Sequence, residues 1–147
     1  RLSEQIREGK LEKSYIAVVR GTPANASGTL EHYLIKDKET NTVRVSRAGG
    51  NTKKAVLEYS VLESKNGLSL VRIRLHTGRA HQIRVQFSAI GNPLYGDVRY
   101  GASQNKPGMQ LALWSAAVSF EHPVLKQRIS FTSTPPAEYP WDLFGMT

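Results

Sequence analysis

An Asn-Gly dipeptide at positions 66–67 constrains the fold more than any other feature of this sequence. On each side of it, at residues 53–64 and 68–76, apolar and polar side chains alternate. A period of two predicts strands that are buried on one face, and Asn-Gly between two such strands favours a two-residue hairpin turn. We therefore predict that the two segments pair antiparallel and that the fold contains a β-sheet.

After a Thr-Gly turn at residues 77–78 the hydrophobic spacing changes from two to three or four, which predicts a helix over residues 79–90. Two sets of side chains would lie on different faces of this helix: Ile83, Phe87 and Ile90 on one, and His81, Arg84 and Ser88 on the other. Arg79 would stand in the first turn, where unpaired backbone N–H groups favour an anion.

Residues 71–101 are rich in hydrogen-bond donors, with five arginines, two histidines and a single acid, Asp97. A strand, turn and helix with this composition indicate a place that holds a phosphate or a carboxylate. The competing interpretation is that these arginines are solvated surface side chains. We expect Asp97 to fix its loop by pairing with backbone N–H groups or with an arginine, and not to act as a catalytic group.

The chain has 147 residues and a net charge of +8, which favours a polyanionic partner, above all a nucleic acid. It contains no cysteine, so disulfides, thiolate catalysis and cysteine-bound zinc are excluded. Its four histidines lack metal-ligand spacing, and no apolar run approaches the length of a membrane span. We therefore expect one cytoplasmic domain over residues 1–147, with neither a metal nor a membrane as partner.

The same patterns predict the remaining elements. Strands are expected at residues 13–20, 28–36, 42–45 and 109–120, a last hairpin strand at 127–131, and a short helix at 2–9. Trp141, Leu143 and Phe144 are apolar enough to dock back on the body of the protein. Together these elements indicate an α+β fold, with a mixed, mostly antiparallel β-sheet and flanking helices.

Two motifs resemble those of a known family. Residues 77–85 spell T-G-R-A-H-Q-I-R-V, and residues 91–101 contain G-N-P-L-Y-G-D and then Y-G. Both are similar to the T-G-R-x-H-Q-I-R-V … G-x-P-x-x-G-D-x-x-Y-G signature of RluA/RluD-type pseudouridine synthases. The resemblance implies the α+β fold of that family and the isomerisation of uridine to pseudouridine in structured RNA, ribosomal or transfer RNA, without a cofactor.

The resemblance also implies roles for individual residues. Tyr15, in K-S-Y-I-A-V-V, would stack on the target base, Arg84 would pair with the catalytic aspartate, and Leu111 would line the pocket. From the strand pattern alone, Tyr15 would be a packed aromatic with a polar tip. Four residues are assigned to RNA binding: Arg74, Arg79, His81 and Gln82. Arg79 is the favoured phosphate contact, although it could replace Arg84 beside the aspartate; we favour Arg84 because it would lie one turn inside the helix, facing the strands.

Two residues near Leu111 depart from the family pattern. Gln110 stands where an arginine is usual, and Trp114 stands where a histidine is usual. We expect these departures to affect substrate contacts more than the chemistry.

The nucleophilic aspartate that the resemblance implies belongs to an H-R-L-D-x-x-T-S-G segment, which this sequence does not contain. Asp37, Asp97 and Asp142 are its only aspartates, and none has that context. We therefore expect the chain to be the C-terminal portion of a synthase catalytic domain and to be inactive alone. The alternatives are a non-catalytic, basic RNA-binding module derived from a synthase, or an interaction protein whose arginines pair with a partner's acids. The sequence before Arg1 distinguishes an enzyme from a module, and the salt dependence of RNA binding identifies the interaction protein.

Overall fold

A computed structural model describes residues 12–121 and 126–145 of the chain. These residues form seven strands, one α-helix and a short 3₁₀ helix. In chain order the elements are β1 Glu12–Arg20, β2 Ser27–Asp37, β3 Thr42–Ser46, β4 Lys53–Lys65, β5 Leu68–Leu75, α1 Gln82–Ala89, β6 Leu113–Glu121, β7 Arg128–Thr132 and the 3₁₀ helix Trp141–Phe144. The helix predicted at residues 2–9 lies outside the described residues.

The described strands form one sheet in the order β3-β2-β4-β5-β1-β6-β7, and each of their pairings is antiparallel. The predicted hairpin between β4 and β5 is confirmed. Asn66 and Gly67 both have positive φ, 55° and 74°, as a two-residue type I′ turn requires. The predicted α+β class is confirmed as well. All pairings of the described strands are antiparallel, and three of them, β2–β3, β4–β5 and β6–β7, join strands that are consecutive in the chain.

Helix α1 begins at Gln82, three residues later than the sequence pattern predicts. His81 has φ 54° and ψ 20°, a left-handed conformation that cannot continue a right-handed helix at its N-terminus. Arg79 therefore lies in the turn before the helix, and the prediction that it stands in the first helical turn is wrong.

The apolar face of α1 packs on the sheet as predicted. Ile83 and Phe87 are buried against Leu57, Ile73 and neighbouring side chains from the central strands. Phe87 is fully buried and its ring meets the ring of Tyr59 edge to face, at a centroid distance of 5.7 Å. This contact fixes the rotation of α1 about its own axis, so Arg84 and Ser88 point away from the centre of the sheet, whereas Gln82 and Gln86 are buried and donate to backbone carbonyls of β2 and β4.

The opposite face of the sheet is covered by the C-terminal segment. Trp141 and Phe144 of the 3₁₀ helix are buried against Ile16, Val18 and Leu70. The prediction that these aromatic residues dock on the body is confirmed. The sheet thus has apolar cover on both faces, and the donor-rich turn lies on the α1 side.

Candidate active site

One hollow beside the N-terminus of α1 is lined by five residues that were assigned a role from the sequence: Tyr15, Arg79, His81, Gln82 and Arg84. The hollow has a volume of about 140 Å³. Its lining consists of Tyr15, Leu75, Arg79, His81, Gln82, Ile83, Arg84 and Leu113. Tyr15 enters from β1, Leu75 from the end of β5, and Leu113 from the start of β6. The antiparallel sheet therefore brings Tyr15 and Arg84, which are distant in sequence, to one site.

The side chain of Gln82 holds the turn that carries Arg79. Its Oε1 accepts hydrogen bonds from Thr77 Oγ1 at 2.8 Å and from the Arg79 backbone N–H at 3.0 Å, and its Nε2 donates to the Val56 carbonyl at 3.1 Å. Gln82 is 3% exposed. The amide thus makes structural contacts, and the RNA contact assigned to Gln82 stays a prediction.

Arg84 forms a bidentate ion pair with Asp97. Its Nε donates to Asp97 Oδ2 at 3.0 Å and one Nη donates to Oδ1 at 2.9 Å, while the Tyr100 backbone N–H donates to the same Oδ1 at 3.1 Å. The predicted loop-fixing role of Asp97 is confirmed. The prediction that Arg84 faces the strands is wrong, because Ile83 and Phe87 occupy that face of the helix.

Tyr100 meets the other two polar residues of the same helical face. Its hydroxyl lies at hydrogen-bond distance from His81 Nδ1 and accepts the Val43 backbone N–H at 3.1 Å, and its carbonyl accepts the Ser88 hydroxyl. The predicted common face of His81, Arg84 and Ser88 is therefore confirmed. That face is turned toward the loop at residues 97–100, and the role of Tyr100 in the site was not predicted from the sequence.

Charge and burial shift two pKa values in the site. The pKa of Arg84 is raised, because its hydrogen bonds to Asp97 stabilise the charged form more than partial burial opposes it. The pKa of His81 is lowered, first by burial and then by the positive charges of Arg84, Arg99 and Lys36, against a smaller opposing effect of Asp97. The site therefore pairs a fixed cation with a histidine that favours its neutral form.

Asn105 organises the loop that presents Asp97. Its Oδ1 accepts hydrogen bonds from the Gly96 backbone N–H at 2.9 Å and from Arg20 Nε at 3.1 Å. Its Nδ2 lies 3.0–3.2 Å from three carbonyl oxygens, those of Leu94, Asp97 and Gly101. No sequence pattern distinguishes an asparagine with this role from others in a polar loop, so the role of Asn105 was not predictable from the sequence.

Two assigned residues lie outside the hollow. Leu111 precedes β6 and lines a different groove of similar volume near the C-terminal segment, whereas Leu113 lines both this groove and the hollow. Arg74 lies on the opposite face of β5 from Leu75, because successive strand residues alternate, and it pairs with Glu12 at 3.3 Å. Arg74 is therefore not brought together with Tyr15 and Arg84, whereas Leu111 packs against the same apolar cluster as Tyr15 without lining the hollow.

Trp114, one of the two departures from the family pattern, is also remote from the hollow. It pairs across the sheet with Ile16 and packs in the cluster on the C-terminal side. Its Nε1 donates to Ser133 Oγ at 3.3 Å. The tryptophan at this position, where a histidine is usual in the family pattern, therefore does not line the hollow around Tyr15.

A second, larger concavity adjoins the hollow through Arg79. It has a volume of about 720 Å³, and its polar lining includes Lys36, Lys38, Lys53 and Arg79 above an apolar floor. Arg79 Nε donates to the Lys54 carbonyl at 2.9 Å, and no carboxylate of the described residues pairs with its guanidinium. This concavity, the basic groove, thus adds unneutralised positive charge next to Tyr15.

No group of three or more histidine and carboxylate side chains suited to a metal ion occurs in the part of the chain that the structure describes. None of the helices in that part has the length and apolarity needed to cross a bilayer.

Comparison with known proteins connects this site to a family. The model of the RNA pseudouridylate synthase family matches residues 1–89. The uncharacterized RNA pseudouridine synthase YjbO of Bacillus subtilis is 34% identical over 93% of this chain and 47% of its own length. The ribosomal large subunit pseudouridine synthase D of Zymomonas mobilis is 31% identical over 97% of this chain and 46% of its length. This chain therefore belongs to the RNA pseudouridylate synthase family.

Solved structures show the same fold. Human RNA Pseudouridylate Synthase Domain Containing 1 superposes with a TM-score of 0.77 at 24% identity, over 94% of this chain and 60% of that one. Human RNA Pseudouridylate Synthase Domain Containing 4 superposes with a TM-score of 0.74 at 22% identity. The chain spans about half the length of the curated relatives it matches.

Proposed function

We propose that this chain forms one wall of a pseudouridine synthase active site, and that an aspartate from outside its 147 residues supplies the nucleophile. The reaction breaks the N-glycosidic bond of uridine, rotates the base and joins carbon 5 to the ribose. The hollow shared by Tyr15, Arg79 and Arg84, in a chain of this family, is the observation that carries the proposal. In this proposal Tyr15 receives the base, whose removal from the RNA stack costs a few kcal/mol.

The small volume of the hollow supports the proposal that this chain forms only part of the active site. Its volume of about 140 Å³ is well below the roughly 300–1,000 Å³ of small-molecule pockets. Tyr15 and Leu113 offer an aromatic ring and an apolar side chain, which suit one face of a base. We infer that a further segment closes the other face.

The position of the aspartates supports an external nucleophile. Asp37 Oδ1 accepts the backbone N–H of Glu39 at 3.0 Å in an exposed turn, and Asp97 is buried on Arg84. Asp142 lies in the C-terminal 3₁₀ helix. None of the three lines the hollow.

Arg84 remains our candidate to pair with that aspartate. Its bond to Asp97 uses Nε and one Nη, so the second Nη is left for another carboxylate. Asp97 also neutralises part of its charge, which weakens the attraction for a second acid. Arg79 has no acidic partner in the described residues and lines both concavities, which suits a phosphate contact better.

The basic groove supports RNA as the partner. Lys36, Lys38, Lys53 and Arg79 line a path that leads away from Tyr15, and phosphate contacts of this kind supply most sequence-independent affinity for RNA. We propose a structured cytoplasmic RNA, and among ribosomal and transfer RNA we favour ribosomal RNA, since relatives bear the name ribosomal large subunit pseudouridine synthase.

Turnover by the chain should depend on an added aspartate. We expect the 147 residues alone to produce no pseudouridine, and a fusion to the H-R-L-D-bearing half of a relative to produce it, because the fusion completes the site. The assay is release of tritium from RNA labelled at carbon 5 of uridine, since that carbon loses its hydrogen when it joins the ribose. Turnover by the chain alone would show that the nucleophile is misassigned.

Two matched variants of the fusion distinguish the role of Arg84 from that of Arg79. Arg84→Lys cannot keep the bidentate bond and should lower the rate constant, whereas Arg79→Lys keeps a point charge and should mainly weaken RNA binding. The control is Asp→Asn in the added segment, which should abolish release. RNA binding without release in every fusion would favour the non-catalytic module instead.

RNA binding should depend on the lysine at the start of β4 and not on the lysine at its end. Lys53 begins this strand in the basic groove and Lys65 ends it outside the groove, so Lys53→Gln and Lys65→Gln remove equal charge. We expect Lys53→Gln to weaken binding and to reduce the slope of log affinity against log salt by about 0.7–0.9, the value for one phosphate contact. Fluorescence anisotropy at several salt concentrations measures both quantities, and equal effects of the two variants would contradict the assigned path.

A further inference from the structure

Tyr100 contacts His81, Arg84 and Ser88, of which His81 and Arg84 line the hollow, yet the proposed chemistry gives Tyr100 no task. Its ring lies 5.0 Å from the Arg84 guanidinium, and its backbone binds Asp97 and Ser88. Its hydroxyl lies between the Val43 backbone N–H and His81 Nδ1. The hydroxyl is therefore the part of Tyr100 whose hydrogen bonding depends on the tautomer and protonation of His81.

The direction of these hydrogen bonds follows from the groups involved. The Val43 N–H can only donate, so at 3.1 Å the Tyr100 oxygen accepts. The Tyr100 O–H then needs an acceptor, and His81 Nδ1 is its other neighbour. An unprotonated Nδ1 is an acceptor, and in a neutral ring the proton then resides on Nε2. The opposite arrangement would have His81 Nδ1–H donate and would leave the Tyr100 hydroxyl proton without an acceptor among the described residues.

The surroundings of His81 also favour the neutral ring. Burial is the largest cause that lowers the pKa of His81, the positive charges of Arg84, Arg99 and the β2 residue Lys36 lower it further, and Asp97 opposes them weakly. With Nδ1 bonded to Tyr100, Nε2 is the ring nitrogen left for a ligand in the hollow.

We propose that Tyr100 is a positioning residue that holds His81 as the neutral Nε2–H tautomer, so that the ring offers one hydrogen-bond donor to an oxygen acceptor in the hollow. A carbonyl oxygen of the base and a phosphate oxygen share the required chemistry. Only the identity of this acceptor rests on the proposed function. The same hydroxyl anchors Val43 at the start of β3, so it connects the edge of the sheet beside the basic groove to His81.

Long-range proton–nitrogen correlation spectra of the ¹⁵N-labelled chain test the proposal directly. Near neutral pH we expect the His81 Nδ1 resonance of an unprotonated nitrogen and the Nε2 resonance of a protonated one. Tyr100→Phe keeps the ring over Arg84 but removes the hydroxyl, so it should shift both resonances toward the average of two tautomers. It should also raise the midpoint of the His81 titration, because the neutral form loses a hydrogen bond.

The matched control is Tyr139→Phe, which removes a hydroxyl from an exposed ring and should leave the His81 resonances in place. An Nδ1–H tautomer in the unsubstituted chain, or a His81 spectrum and titration unchanged by Tyr100→Phe, would overturn the proposal. The tautomer is measured without RNA or turnover, so it can fail while the synthase function stands, and the reverse also holds. Repeating the spectra with a uridine-containing oligonucleotide and with inorganic phosphate distinguishes the two acceptors by which one shifts Nε2.

Discussion

Asp97→Ala should lower the free energy of unfolding by about 3 kcal/mol, the lower end of the roughly 3–5 kcal/mol for breaking a buried ion pair. The side chain of Asp97 is fully buried, whereas that of Arg84 is 22% exposed and can regain some hydration. The substitution leaves a mostly buried guanidinium without its partner and also removes the acceptor of the Tyr100 backbone N–H. Urea denaturation followed by circular dichroism gives the change in unfolding free energy.

A surface ion pair provides the matched control for this prediction. Glu31 and Lys54 lie 3.0 Å apart, but their side chains are 53% and 52% exposed. Glu31→Ala should therefore change the urea midpoint little, since solvent screens such pairs. Replacing both buried partners, in Asp97→Ala/Arg84→Met, should recover part of the loss because no orphaned charge remains. Equal losses of unfolding free energy from Asp97→Ala and Glu31→Ala would contradict the stabilisation that we expect from the buried Asp97–Arg84 ion pair.

Much of the fold was predictable because its signals are local. The alternation at residues 53–64 and 68–76 and the Asn-Gly pair define a hairpin without reference to the rest of the chain. The apolar face of α1 follows from a spacing of three to four. The same alternation puts Arg74 on the other side of the strand from Leu75, so its separation from the site was already implied by the sequence.

The parts of the site that escaped prediction depend on contacts between distant residues. The start of α1 depends on the left-handed backbone of His81 and on Gln82, which holds the preceding turn through Thr77 and Val56, and no helix pattern contains that information. Leu111 and Leu113 have the same strand parity, so the strand pattern alone does not tell which of them reaches Tyr15. Tyr100 gains its importance only because the loop that contains it folds back on α1.

The loop that carries Asp97 also predicts the second large effect. Gly96 has φ +83°, and a Cβ at this position would lie 2.1 Å from the Gln110 carbonyl oxygen. Gly96→Ala should lower the free energy of unfolding by about 2–5 kcal/mol, which combines about 1–2 kcal/mol for the left-handed backbone with about 1–3 kcal/mol for the overpacking. Because backbone and not a flexible side chain is in the way, residues 110–112 must move, and Leu113 in the hollow should move with them.

Gly108 separates the two causes of that loss. Its φ is +93°, but a Cβ there would have no neighbour within 4 Å. Gly108→Ala should therefore show only the backbone cost, about 1–2 kcal/mol. Urea denaturation compares the two variants, and the Leu113 methyl resonances report whether the hollow is disturbed. If the two substitutions were equally destabilising and Leu113 kept its resonances in both, close packing of Gly96 against residue 110 would not be what shapes this wall of the site.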